Sequence, residues 1–334
     1  MRKPTMQRIA DQLGISKNSV SLALTGRAGV SKELREKVLE AALEIGYPIE
    51  KLKTKTSMKS AHMIGLIARE EIFAENTFFG VINLHIEKEI KSREGHLLLH
   101  AVEKESEEKL KLPSFLTEKK VDGLLVLSHL RKEFIQAIIQ SGIPVVLVDH
   151  HDPNLNVDFV LTDNRKGAYL ATIHLIRKGA RSVGFIGEIS KSPSYRERFE
   201  GFLDAMQEEG LSIEDQWVNH HINEQESLLY SYLKSLPSLP DAWFCANDHF
   251  GFLITRNLNK LGIRVPEDCS VCGFDDSIFA TLSMPKLTTI AINKENFAIR
   301  SVVQLYRRME NLEMPFEKTI LNVELIERET IFSP

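Results

Sequence analysis

A short stretch near the start of the chain carries side chains that are able to read DNA. Lys17, Asn18, Ser21, Leu22 and Thr25 fall on one face of a predicted helix if residues are spaced at about 100°. Lysine donates to guanine O6 and N7, asparagine pairs with adenine through two hydrogen bonds, and leucine packs on a thymine methyl group. The alternative is an ordinary pair of packed helices, in which Leu22 only covers the edge of a bundle.

Three helices must position this face. Apolar residues form one stripe on each of them, namely Met6, Ile9, Ala10 and Leu13, then Val20, Ala23 and Leu24, then Leu34, Val38, Ala41 and Ile45. Thr5 is placed to cap the first helix and Gly14 to end it, because glycine adopts the left-handed conformation at no steric cost. Ser16 is placed to cap the second helix, and the third begins near Ser31 and ends at Gly46. The spacing predicts a helix-turn-helix in a small three-helix bundle.

The distribution of charge supports a nucleic-acid partner for this segment. The chain has 334 residues and a net charge of −4, but residues 1–60 hold twelve Lys and Arg against six Asp and Glu. This segment therefore carries +6 and the remainder −10, as in a basic DNA-binding domain joined to an acidic body. No run of eighteen apolar residues and no apolar stretch after Met1 occur, so we expect a cytoplasmic protein with no membrane span.

Strand and helix patterns alternate from residue 62 onward. Short apolar runs predict strands at 63–67, 96–100, 121–127, 143–148, 159–161, 182–186, 242–246 and 270–274. Amphipathic segments predict helices at 78–91, 105–119, 131–141, 166–178, 196–209 and 249–261. Wholly apolar strands that alternate with helices indicate parallel sheets covered on both faces. We expect an α/β core of two doubly wound subdomains, with a ligand bound at the carboxyl ends of the strands.

Other reactive residue types favour no metal, cofactor or enzyme chemistry. Cys269 and Cys272 straddle the start of a predicted strand, where a buried pair of reduced thiols is expected. The runs 149–152 (Asp-His-His-Asp) and 220–221 (His-His) lack the spacing of metal ligands, so solvent or cleft-rim histidines are expected. No phosphate-binding loop, nucleophile elbow or zinc-protease motif occurs. Two alternatives stay open: a sugar-processing enzyme with Asp149 and Asp275 as acid and base, and a sugar-binding protein.

The order and spacing of motifs along the chain resemble the LacI/GalR family of transcription repressors. The motifs that carry the resemblance are Ile9-Ala-x-x-Leu-Gly-Ile-Ser-x-x-Ser-Val-Ser21, Val30-Ser31, Gly46-Tyr47, Val121-Asp-Gly123, Arg196-x-Arg-Phe-x-Gly-Phe202, Ala246-Asn-Asp248 and Val271-x-Gly-Phe-Asp-Asp276. The resemblance runs essentially from end to end. It implies a DNA-binding domain at 1–47, a hinge at 48–61, an effector-binding subdomain at 62–162 with 292–320, and a second at 163–291 with 321–334.

The resemblance also implies partners and contact residues. A homodimer would bind a pseudopalindromic operator, with DNA contacts from Thr5, Ser16, Lys17, Asn18, Ser21, Leu22, Thr25 and Ser31. Leu22 departs from the arginine that family members often have. The family's hinge leucine, which wedges into the minor groove, is replaced here by Thr56, with Leu52 and Met58 nearby.

A small effector in the cleft between the subdomains would control operator affinity. The residues that match the family's cleft are Phe78, Phe79, Asp149, Arg198, Asn247 and Asp275. Carboxylates and a guanidinium offer acceptors and donors for sugar hydroxyls, so a sugar or sugar derivative is expected. The resemblance leaves open whether the effector releases the operator or, as in purine-type members, tightens binding to it.

Overall fold

A computed structural model describes residues 5–24, 29–45, 47, 61–74 and 77–332 of the chain. The chain divides into two compact units, Met1–His62 and Met63–Pro334. Thr25, Leu52, Thr56 and Met58, for which DNA contacts are expected, lie outside the described residues, as does the connector 48–60.

The first unit is the predicted three-helix bundle, with α1 (Met6–Leu13), α2 (Lys17–Leu24) and α3 (Lys32–Glu44). Its core consists of the apolar stripes, and Ile9, Val20 and Val38 are fully buried. Three predicted ends are confirmed: Thr5 and Ser31 cap α1 and α3, and Gly14 ends α1 at a φ of 64°. Gly46, which was expected to end the third helix, lies outside the described residues. Side-chain oxygens of these caps accept backbone N–H groups that would otherwise have no partner in the first turn.

The second unit contains two six-stranded sheets. The strands are β1 (Met63–Arg69), β2 (His96–Val102), β3 (Gly123–Leu127), β4 (Val145–Val148), β5 (Asp158–Thr162), β6 (Val183–Ile186), β7 (Val218–Asn219), β8 (Ala242–Cys245), β9 (Ser270–Asp275), β10 (Thr288–Ala291), β11 (Lys318–Leu321) and β12 (Glu324–Ile326). The first sheet has the order β11-β5-β4-β3-β1-β2 and is parallel throughout. The second has the order β12-β10-β9-β8-β6-β7, and only β12 is antiparallel.

Helices connect these strands. They are α4 (Glu70–Ala74), α5 (Phe78–Ser92), α6 (Lys104–Glu108), α7 (Ser114–Thr117), α8 (Lys132–Gln140), α9 (Asn164–Arg177), α10 (Pro193–Glu208), α11 (Glu226–Ser235), α12 (Asp248–Lys260), α13 (Ile278–Leu282) and α14 (Lys294–Glu310). Every residue of β3, β4, β6 and β8 is buried, because helices cover both faces of each sheet. The two-subdomain α/β architecture predicted from the sequence is confirmed.

One predicted helix is wrong. Residues 105–119 form two short helices, α6 and α7, rather than one. Leu110 adopts a φ of 53°, which a continuing right-handed helix excludes, and Pro113 precedes α7 and has no N–H to donate.

The chain passes between the two sheets three times. It leaves the first sheet after β5, returns to it through α14 and β11, and enters the second sheet again at β12. Helix α14 begins after β10 of the second sheet but contacts β3, β4 and β5 of the first. Strand β11 ends at Leu321, one residue beyond the expected boundary at 320.

Candidate functional site

The expected DNA-reading face lies on α2. Lys17 and Asn18 are exposed, whereas Ser21 and Leu22 are half-buried. A Cβ atom added at Gly29 would lie 3.3 Å from Leu22 Cδ1, so the leucine side chain reaches the segment that leads into α3. The hydroxyl oxygens of Thr5, Ser16 and Ser31 accept backbone N–H groups of Arg8, Ser19 and Leu34.

A cavity of about 400 Å³ lies in the second unit and is lined by residues of both subdomains. The structure brings together all six cleft residues expected from the sequence, Phe78, Phe79, Asp149, Arg198, Asn247 and Asp275. Asp149 follows β4 and Asp275 ends β9, so the carboxyl ends of both parallel sheets meet at the cavity.

Backbone strain is concentrated at these strand ends. Ser128 after β3, Asp149 after β4, and Asp275 and Asp276 at the end of β9 all have positive φ, of 65°, 57°, 104° and 46°. Residues other than glycine rarely adopt such angles, and strain of this kind clusters at functional sites. The left-handed turns are the local feature that directs these polar side chains.

Arg198 on α10 is the centre of a buried network. Its Nη2 lies 2.9 Å from Asp275 Oδ1, its Nη1 donates to the Ala246 carbonyl at 2.7 Å, and its Nε donates to Asn164 Oδ1 at 2.9 Å. The guanidinium stacks on the Phe274 ring, 3.7 Å from its centroid, and only 2% of Arg198 is exposed. The planar fork therefore fixes Asp275 and joins it to Asn164, at the first crossing of the chain between subdomains.

Asp149 bridges the cleft with a single long contact. Its Oδ1 accepts from Ser194 Oγ of the other subdomain at 3.3 Å, and the residue is 4% exposed. Burial raises the pKa of this carboxyl to about 7, although the nearby charge of Arg198 opposes the shift. The cavity thus holds a carboxyl that takes up a proton near neutral pH.

Sequence reasoning missed the carboxylate of Glu224, in the loop before α11. Its Oε1 accepts from Lys191 Nζ at 3.3 Å, Tyr195 Oη at 3.2 Å and Asn247 Nδ2 at 3.0 Å, and its Oε2 faces His249 Nδ1 at 3.1 Å. Burial alone would raise the pKa of Glu224, but the hydrogen bond with His249 and the charge of Lys191 outweigh it and lower the pKa to about 2.

Both polar atoms of the Asn247 side chain already have hydrogen-bond partners. Its Nδ2 also donates to Tyr195 Oη at 2.6 Å, and its Oδ1 caps α12 by accepting from Phe250 N at 2.9 Å. Asn247 therefore lines the cavity as expected, but in this state its amide holds α12 and Glu224 in place. The only sequence signal for the cluster was the polar loop at 219–227.

A pair of histidines lies beside the cavity, and sequence reasoning missed one of them, His129. His129 Nδ1 and His150 Nδ1 are 2.8 Å apart, so one ring donates and the other accepts. Burial, together with the neighbouring imidazole, lowers the pKa of His129 to about 3, and burial lowers that of His150 to about 4. The expectation of a solvent or rim position is wrong for His150, because β4 delivers it to the interior beside Asp149.

The cysteines agree with the expectation of buried reduced thiols. Cys269 and Cys272 are buried free thiols, and so is Cys245. Among the residues that the structure describes, no group of three or more His, Cys, Asp or Glu side chains is arranged to hold a metal ion. Within the same described part of the chain, no helix has both the length and the apolar character to cross a membrane.

The chain combines a helix-turn-helix bundle with a two-sheet core that encloses a polar and aromatic cavity. This combination defines a DNA-binding regulator that also binds a small ligand. Family models agree in both parts: residues 5–48 match the model of bacterial regulatory proteins of the lacI family, and residues 172–331 match a periplasmic binding protein-like domain.

Relatives extend the match over the whole chain. The HTH-type transcriptional repressor PurR of Haemophilus influenzae is 31% identical over 98% of this chain and 99% of its own length. The ribose operon repressor of the same organism is 27% identical over 98% of each chain or more. The solved structure of the transcriptional regulator CelR in complex with cellobiose is 26% identical, with a TM-score of 0.73 over 98% of this chain and 100% of that one. The chain belongs to the lacI family of bacterial regulatory proteins.

Proposed function

We propose that this protein is a transcriptional repressor that binds a pseudopalindromic operator as a homodimer and is controlled by a small effector in the cavity. The observation that carries the proposal is the convergence of six expected residues on one cavity, in a chain that also holds a helix-turn-helix. A repressor of this kind acts on DNA in the cytoplasm and catalyses no reaction.

Sequence reading is assigned to α2. Lys17 and Asn18 are exposed at its first turn, where a recognition helix meets base edges in the major groove. Leu22 contacts a thymine methyl group, and Thr5, Ser16, Ser21 and Ser31 supply hydroxyl groups for phosphates, which set the register without reading sequence.

The effector is a sugar or sugar derivative. A sugar is supported by the acceptors and donors that converge on the cavity, and by the aromatic rings of Phe78 and Phe79, which lie edge to face at a centroid distance of 4.9 Å. Relatives named for ribose and for cellobiose make this class the expected one.

Control of DNA binding follows from contacts that cross the cleft. Asp149 accepts from Ser194, and Lys294 Nζ, at the start of α14, donates to the carbonyl oxygens of Asp275 at 2.5 Å and Asp276 at 3.0 Å. An effector that contacts Asp149 and Asp275 changes the free-energy difference between the open and closed arrangements of the subdomains. A ligand shifts such an equilibrium only by binding one arrangement more tightly than the other. Whether the effector releases or tightens operator binding depends on which state it favours.

The DNA half of the proposal is tested by fluorescence anisotropy with DNA from upstream of the protein's own gene, at about 150 mM salt. Lys17→Ala combined with Asn18→Ala is expected to abolish the preference for the specific site over random DNA. Lys37→Ala on α3 is the control, since it removes one exposed lysine of the same domain and leaves sequence preference intact. An unchanged preference in the double variant would reject α2 as the reading helix.

The effector half is tested by a thermal-shift screen of sugars, phosphosugars and purines on the full chain, followed by calorimetry. Asp275→Asn keeps the shape of the side chain but removes its charge, and it is expected to weaken effector binding at least about tenfold. Asp215→Asn changes an exposed residue of the same subdomain and is expected to bind like the wild type. Equal binding by both variants would reject the cavity as the effector site.

A further inference from the structure

Both permanent cations that line the cavity already have a carboxylate partner. Among the described lining residues, the carboxylates outnumber the cations, with Glu71, Asp149, Glu224, Asp248 and Asp275 against Lys191 and Arg198. Arg198 pairs with Asp275 at 2.9 Å, and Lys191 pairs with Glu224 at 3.3 Å. Glu71, Asp149 and Asp248 have no such cation within the lining, so an anion that enters the cavity finds both cations of the described lining already paired with a carboxylate.

Glu224 is the carboxylate that occupies Lys191, the more exposed of the two cations in the lining. It is 20% exposed and collects donors from the loop before α10, from α10 itself and from α12, so three elements hold one carboxylate at the cavity wall. Lys191 is 57% exposed and would be the natural anchor for a phosphate, but its ammonium lies against Glu224 instead. Lys191 Nζ also lies 5.8 Å from the centre of the Tyr195 ring.

We propose that Glu224 makes the cavity selective for an uncharged, hydroxyl-rich effector and against its phosphorylated or carboxylated forms. The inference rests on the proposed function, because it narrows the ligand class of the same cavity. A sugar phosphate carries about −1.5 to −2 charges, and to bind here it would have to draw Lys191 away from Glu224 and leave a carboxylate without its cation.

The ionisation of the cluster supports this selectivity at physiological pH. The low pKa of Glu224 keeps it charged near neutral pH. Carboxylates do not repel uncharged hydroxyl groups. Such groups donate to Asp149 and accept from Ser194 or Ser277, which also line the cavity.

Calorimetry on the full chain with matched ligands tests the inference. The ligands are ribose with ribose 5-phosphate, glucose with glucose 6-phosphate, and cellobiose. The proteins are the wild type, Glu224→Gln, and Glu209→Gln as a control that removes the same charge from an exposed position at the end of α10. We expect the wild type to bind an uncharged sugar at least about tenfold more tightly than its phosphate, since carboxylates repel the phosphate in a partly buried site.

In Glu224→Gln this ratio is expected to shrink by about tenfold, because Lys191 is released for the phosphate, and Lys191→Met in the same background restores the ratio. Glu209→Gln leaves it unchanged. A phosphate that binds the wild type as tightly as the uncharged sugar overturns the inference, as does an unaltered ratio in Glu224→Gln.

Lys191→Met alone gives a second measurement that does not depend on the folding of Glu224→Gln. The inference expects the preference for the uncharged sugar over its phosphate to increase in Lys191→Met, because Glu224 then faces the cavity without its cation. A preference that decreases in this variant overturns the inference. If no ligand of the series binds the wild type, the sugar class of the proposed function is wrong, and the inference falls with it.

Discussion

Replacing Asp149 by asparagine should stabilise the protein while weakening its response to effector. Asp149 is 4% exposed, and burial raises its pKa from an ordinary value of 3.8 to about 7. Asparagine keeps the shape of the side chain, tolerates the positive φ at this position and carries no charge. The variant therefore removes the cost of a buried carboxylate at high pH.

The size and sign of the effect follow from proton linkage. Between about pH 4 and pH 7 the folded state holds a proton that the unfolded state has lost, so the stability that this group contributes is complete below about pH 4 and is lost as the pH rises through 7. A rise of about three pKa units corresponds to at most about 4 kcal/mol. The amide needs hydrogen-bond partners of its own, so we expect the free energy of unfolding of Asp149→Asn to exceed that of the wild type by about 1–3 kcal/mol at pH 8.

Differential scanning calorimetry at about pH 5 and pH 8 measures this difference as a shift of the thermal midpoint by several degrees, at about 2–4 °C per kcal/mol. The gain should be large at pH 8 and small at pH 5. Asp248, whose pKa burial also raises to about 7, is present in both proteins and cancels in the comparison.

Asp152→Asn is the matched control, because hydrogen bonds from Asn154 and Lys132 outweigh the small effect of burial and lower the pKa of Asp152. That variant should lose stability above about pH 4, which is the opposite sign. A midpoint for Asp149→Asn below that of the wild type at pH 8, or a gain that does not change with pH, would refute the account of Asp149.

Three further substitutions test contacts that stabilise the fold, two in the α/β core and one in the three-helix bundle. Arg308→Met leaves Asp158 as a buried carboxylate without the cation that now lies 2.7 Å away, and urea unfolding should show a loss of about 3–5 kcal/mol. Gly201→Ala places a methyl group 2.0 Å from the Arg165 carbonyl oxygen where α10 packs on α9, so the same measurement should show a loss of at least about 1–3 kcal/mol. Ser31→Ala removes the cap of α3, and hydrogen exchange of α3 amides should become faster by an amount that corresponds to about 1 kcal/mol.

Features that depend on local sequence were predictable. The caps at Thr5 and Ser31, the left-handed Gly14 and the apolar strands arise from interactions within a few residues, so spacing and residue type are sufficient. The position of Asp149 and Asp275 at the cavity was also predictable, since the carboxyl ends of parallel strands lie at one edge of each sheet.

Features that depend on distant contacts were not predictable. Glu224 lies in a loop without periodicity, and its role comes from Lys191, Asn247 and His249, which only the fold brings to it. His150 was expected at the solvent or the cleft rim because the run 149–152 lacks the spacing of metal ligands, and its contact with His129, which follows β3, is made only by the fold. The break within the predicted helix 105–119 is different, because Pro113 is a local signal that ends a helix and the helical pattern around it was given too much weight.

The threefold passage of the chain between sheets also sets an order for synthesis on the ribosome. The first sheet lacks its edge strand β11 and the covering helix α14 until residues 294–321 have been made, by which time β6 to β10 of the second sheet exist. The second sheet likewise lacks its edge strand β12 until residues 324–326 have been made. Neither subdomain is finished during translation before the other has nearly all its strands, so a nascent chain exposes an uncovered sheet face to chaperones until residues 294–326 have emerged.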